Sequence, residues 1–151
     1  MRIQSLSFDA LTEQGVDPRF ARILTHPEGY HRNLSILVGE SDWDYFIPAD
    51  AGDIVPLWDF NADSVVRWKR NDAIEYVLLY HDDPKWSLIA KFEQGVKAEL
   101  WRRWIEFQEA NDDECERFAE AIGFRQWREG LALLDRDFDA FMKWRLELAD
   151  D

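Results

Sequence analysis

A chain of 151 residues can bury a core without disulfides or a structural metal. Its 31 acidic residues outweigh 18 basic ones, for a net charge of −13, which argues against a nucleic-acid or anionic-lipid partner and favours a basic one. A single cysteine excludes an internal disulfide and fits a reducing compartment, so a cytoplasmic location is expected. Hydrophobic residues make up 46% of the chain, as in a globular protein. Eight Trp and ten Phe exceed what a minimal core requires, and Trp and Tyr are favoured at the centres of protein interfaces. No signal peptide is read at the N-terminus, and no run approaches the ~18 apolar residues of a membrane span.

In chain order, Ser7 to Gly15 reads as a short helix, with Ser7 as N-cap and Gly15 as its stop. Asp17 and Pro18 signal the start of a second helix, with Phe20, Ile23 and Leu24 on one face. The run L-S-I-L-V-G over residues 34–39 predicts a strand, and D-W-D-Y-F-I-P over 42–48 another. Further strands are predicted in I-V-P-L-W (54–58), S-V-V-R-W-K-R (64–70), I-E-Y-V-L-L-Y-H (74–81) and W-S-L-I-A-K-F (86–92). They follow one another through short turns, which predicts an antiparallel meander.

From Glu93 the pattern is helical, with Val96, Leu100, Trp104 and Phe107 as a stripe. Asn111 with Glu114 three residues on resembles a capping box, and Gly123 closes that helix. Trp127, Leu131 and Leu134 mark the next, and Asp137 opens the last. The expected architecture is one α+β domain over residues 1–151: a single antiparallel or mixed curved sheet flanked by helices, with a helical C-terminal extension.

Short motifs give little catalytic signal. Asp59, Asn61 and Asp63 alternate like the first ligands of a calcium loop. The position that needs the turn glycine is Ser64, however, and the one that needs the bidentate glutamate is Arg70. A turn between strands is the plainer reading, and neither metal nor cofactor is expected. His81 precedes Asp82, Asp83 and Pro84, which reads first as a turn and second as an acid–base site. Cys115 sits among Asp112, Asp113, Glu114 and Glu116; neighbouring acids raise a thiol pKa, so the cysteine is read as structural.

Charge patterning is more informative. Residues 33–66 hold no Lys or Arg, while acids and aromatics interleave there. Within this stretch and the following turn, Asp42, Asp44, Trp58, Asp59, Asn61, Asp63, Asp82 and Asp83 are the expected partner-binding residues. They suit a basic protein. A second acidic run, Glu106 to Glu120, reads as a solvated helix face.

The segment Y-V-L-L-Y-H-D-D-P-K-W-S-L-I-A-K-F-E-Q-G (76–95) resembles the strand–turn–strand–helix passage of the SUKH (Smi/Knr-like) superfamily, with Ile89, Ala90, Phe92 and Glu93 in its frame. F-I-P-A-D-A-G-D-I (46–54) is similar to the region before it. The resemblance spans roughly residues 46–104; the N-terminal third and residues 112–151 depart from the pattern. It implies an α+β fold and a non-enzymatic bacterial immunity protein that inhibits a cognate, basic toxin, with a nuclease as one candidate class. The family has no catalytic residues to carry over. Two other readings stand beside it: a cytosolic adaptor using the same surface, and an enzyme built on His81, Asp82 and Asp83.

Overall fold

Helix α1 (Phe8–Glu13) starts where Ser7 Oγ accepts the Ala10 amide at 3.1 Å, and it ends before Gly15, which takes φ +90°. The computed structural model describes residues 2–3, 5–38, 52–60 and 63–150. Asp17 caps α2 (Pro18–Thr25) through the Arg19 amide at 2.9 Å, and one 3-10 turn follows at Pro27–Gly29.

The strand expected at 34–39 is instead a helix, α3 (Leu34–Leu37). Leu34 and Val38 are both buried, one helical turn apart, while Ile36 is 66% exposed. A strand would have put Leu34, Ile36 and Val38 on one face. A short apolar run is ambiguous between these states, and packing decided it. The strand expected at 42–48 lies outside the described residues.

One open sheet follows the expected meander. The strands are β1 (Arg2–Ile3), β2 (Asp53–Phe60), β3 (Asp63–Arg70), β4 (Ala73–Leu79) and β5 (Trp86–Ala90), paired in that order. Strands β2 to β5 are antiparallel, and the two-residue β1 joins β2 in parallel. Asn71 and Asp72 both adopt positive φ, which closes the β3–β4 hairpin in a turn matched to strand twist. In β2 the pairing jumps from Pro56–Val66 to Trp58–Val65, so Leu57 is an extra residue. This bulge turns both Leu57 and Trp58 into the same core and absorbs a proline that cannot donate to a ladder.

The sheet is apolar on both faces. Val55, Val65 and Tyr76 join the main cluster, together with residues from every α-helix of the described chain except that at Trp127–Arg136, whose Trp127, Leu131 and Leu134 pack against it half-buried. On the other face Ile54, Val66, Trp68, Val77 and Leu79 form a separate buried cluster drawn, among the described residues, from strands alone.

The C-terminal helices are α4 (Glu93–Gln108), α5 (Asp112–Ile122), α6 (Trp127–Arg136) and α7 (Phe138–Glu147). Their caps match the sequence reading: Asn111 Oδ1 accepts the Glu114 amide at 3.0 Å, Gly123 takes φ +77°, and Asp137 Oδ1 accepts the Asp139 amide at 3.0 Å. Val96, Leu100 and Trp104 are buried as expected, whereas Phe107 is 44% exposed at the end of α4. Among the described residues no helix is long and apolar enough to cross a membrane.

Helix α4 is buried on nearly every side, charges included. Glu99 lies 2.7 Å from Arg145 of α7 and 2.9 Å from Arg102, with Arg103 at 3.2 Å. Burial would push the Glu99 carboxyl up, but Arg145 first, then Arg102, hold it below its ordinary value. Arg145 Nε also donates to the Ile89 carbonyl at 3.0 Å, tying α7 to β5. Nearer the start of α4, Lys97 meets Asp17 at 2.9 Å and Glu93 at 3.1 Å. At Gly95 a Cβ would collide with the Arg145 carbonyl oxygen and with Ala90 Cβ, so three elements converge on a position with no room for a methyl group.

Gly95→Ala is therefore expected to lower stability by about 1–3 kcal/mol, measured as a reduced urea midpoint at unchanged slope. An unchanged midpoint would show that α4, α7 and β5 do not meet this closely. Asp17 gives a pH prediction. Burial works against its charge, but hydrogen bonds from Arg19 and Lys97 outweigh it and bring its pKa from 3.8 to about 2. A folded value below the unfolded one adds stability that is complete above pH 3.8 and fades as the pH falls towards 2. Asp17→Asn, which can still cap α2, should remove roughly 2 kcal/mol at neutral pH and flatten the loss of stability over that acid window.

Candidate interaction surface at the acidic end of the sheet

The antiparallel register gathers the end of β2, the start of β3, the end of β4 and the start of β5 at one end of the sheet, through the pairs Phe60–Asp63, Ser64–Leu79 and Leu79–Trp86. Asp59 of β2, Asp63 of β3, and Asp82 and Asp83 of the β4–β5 turn all lie at this end of the sheet. Asp59 and Asp63 belong to paired strands, and residues 63–70 of the notional calcium loop are β3, so that half is a strand and not a ligand loop. Among the described residues no group of three or more His, Cys, Asp or Glu is placed to hold a metal ion.

The β4–β5 turn is braced. Asp63 Oδ1 accepts the His81 backbone amide at 3.4 Å and lies 3.2 Å from His81 Nδ1. The Tyr80 hydroxyl lies 2.6 Å from Ser87 Oγ, on the opposite arm of the turn. Asp83 Oδ1 accepts the Lys85 amide at 2.9 Å, which folds the turn on itself just before Pro84 closes it. Asp82 is exposed, Asp59, Asp63 and Asp83 are half-buried, and Lys85 is an exposed base among them. Of these carboxylates, Asp63 and Asp83 are held in place by the turn, and a side chain already held loses less freedom when it binds.

Trp58 is a correction. It is only 2% exposed and belongs to the main core, because the bulge at Leu57 turns it inward, so it cannot touch a partner. Asp42, Asp44 and Asn61 lie outside the described residues. Cys115 is buried, as expected of a structural cysteine; burial and then Asp112 and Glu114 push its thiol up.

Two concave features escape the sequence reading. A groove of about 820 Å³ beside α2 is lined by Phe8, Ile23 and Tyr30, with Arg19, Arg22 and His26 among its polar groups. The signal for it was the spacing of Arg19, Arg22 and His26 along one side of α2. The other is a cleft of about 400 Å³ where the end of α1 meets β2 and β3, walled by Gln14, Arg67 and Lys69.

Comparison with protein-family models, with curated proteins and with solved structures finds no match for this chain.

Tyr80→Phe should loosen the braced turn with little global effect. Amide exchange at residues 81–85 is expected to speed up, while overall stability falls by no more than about 1 kcal/mol. Unchanged exchange there would show that the Tyr80–Ser87 contact does not hold the turn.

Proposed function

We propose that this chain is a non-catalytic binding protein, an immunity protein that blocks a basic protein toxin by presenting the acidic end of its sheet. The observation that carries the reading is the convergence of Asp59, Asp63, Asp82 and Asp83 on one end of the sheet, two of them in or beside a braced turn. The net charge of −13 supports it, since it would speed encounter with a basic surface and repel acidic competitors. The toxin part rests on the SUKH resemblance. The segment that carries that resemblance, residues 76–95, is also the one that builds the Tyr80–Ser87 turn.

The test uses the purified chain and its Asp59→Asn/Asp63→Asn/Asp82→Asn/Asp83→Asn variant as baits in a lysate of the cells that make it, at low salt and at about 1 M salt. Asn keeps the acceptor oxygens that shape the turn and removes only charge. The expected result is a basic protein, toxic when expressed alone, that the wild type holds at low salt and the variant binds at least tenfold more weakly, mostly through a slower on-rate. Equal capture by both baits at both salt concentrations would contradict the acidic surface. A captured partner without toxicity would leave a binding protein but remove the immunity role.

A further inference from the structure

Acids far outnumber bases in this chain, yet among the described residues one buried cation, Arg67, is paired with no carboxylate. Arg67, in the middle of β3, is 5% exposed. Its guanidinium donates from Nη1 to Gln14 Oε1 at 2.5 Å and from Nη2 to the Gln14 carbonyl at 3.2 Å, both neutral acceptors. Its Nε is buried with no hydrogen-bond partner. Among the described residues Arg67 makes no ion pair, unlike the buried Lys97, Arg102 and Arg145, each of which meets a carboxylate. Tyr76, directly across the register on β4, is also buried, and burial first of all keeps its phenol protonated, so it adds no negative charge.

A guanidinium taken out of water without a counter-charge is strongly disfavoured. A neutral amide oxygen is a weak substitute for an anion, because bonds to a charged acceptor are roughly twice as strong. Arg67 forms one wall of the 400 Å³ cleft, and Lys69, two residues on along the same face, forms another. The carboxylates at this cleft, Glu13 and Asp53, do not pair with Arg67; Asp53 stands opposite Lys69 in the strand register instead. The volume suits a small molecule and is too small for a polymer.

We propose that the cleft between α1, β2 and β3 is a binding site for a small oxyanion, a carboxylate or phosphate group carried on a metabolite-sized molecule, received by the Arg67 fork with Lys69 at the rim. On binding, the oxyanion takes the place of Gln14 Oε1 against Arg67, and Gln14 turns away. Because Gln14 caps the end of α1, occupancy is coupled to the position of that helix. The site is separate from the acidic surface: Asp63 and Lys69 lie at opposite ends of β3. It does not rest on the toxin-binding reading.

The test is a ¹H–¹⁵N NMR titration of the full chain with inorganic phosphate and, separately, with succinate, at ionic strength held constant with chloride. The expected result is saturable shifts at the Arg67 side-chain Nε–H and at the amides of Gln14, Val55 and Lys69, for at least one of the two probes. Saturation by phosphate alone assigns a phosphate ligand, and by succinate alone a carboxylate. Arg67→Met should abolish the shifts and be at least as stable as the wild type in anion-free buffer, since it removes an uncompensated charge. Lys69→Gln, an exposed change, should weaken saturation at least threefold and keeps the test open if Arg67→Met does not fold. Shifts that fail to saturate with either probe, that spread over the surface, or that persist undiminished in Lys69→Gln and in any folded Arg67→Met would overturn the proposal.

Discussion

Charges buried on α4 constrain everything around them. Glu99 and Lys97 sit in the interior, where an unpaired charge would cost several kcal/mol, so the elements that carry their partners must dock. Arg145 brings α7 against α4 and, through the Ile89 carbonyl, against β5. Asp17 brings the start of α2 to Lys97 and caps that helix with the same carboxylate. Gly95 allows the close approach these pairs demand. Replacing such pairs with apolar residues can leave a protein equally stable, so their clearest contribution is to select one arrangement of helices over others of similar apolar burial.

That arrangement fixes β5, and β5 fixes the turn before it. The sheet then acts as a spacer between two unlike ends. At one end, Asp63 of β3 meets His81 of the β4–β5 turn, with Asp59, Asp82 and Asp83 at the same end of the sheet. Towards the other, Arg67 and Lys69 face a cleft closed by the end of α1. Asp63 and Lys69 are six residues apart along one strand, roughly 20 Å at the rise of a β-strand. The two proposed sites therefore do not overlap.

The fold was legible where local chemistry decides it. Ser7, Asp17, Asn111 and Asp137 each cap the helix that their side chains suggest, Gly15 and Gly123 end helices in left-handed backbone, and the β-rich run gives the meander. Misreadings arose where tertiary packing decides. Residues 34–38 are apolar enough for either state, and burial of Leu34 and Val38 selected helix. Trp58 is expected at a partner surface because it stands among acids, but the bulge at Leu57 turns it into the main core. Arg67 lies on the side of β3 that the helices cover, which the run V-V-R-W-K-R does not disclose. The pairing of Asp17 with Lys97 joins residues 80 positions apart, which no local pattern encodes. For the site, the acidic character could be read, and the convergence of Asp59 and Asp63 with Asp82 and Asp83 could not, because it depends on strand register.

The most direct measurement is hydrogen–deuterium exchange of the chain free and bound to the basic partner proposed for it. A docking surface at the acidic end predicts slowed exchange on binding at residues 80–86 and at the start of β3, with α6 and α7 unchanged. Slowed exchange confined to the groove beside α2 or to the Arg67 cleft, with the β4–β5 turn exchanging as in the free chain, would contradict it.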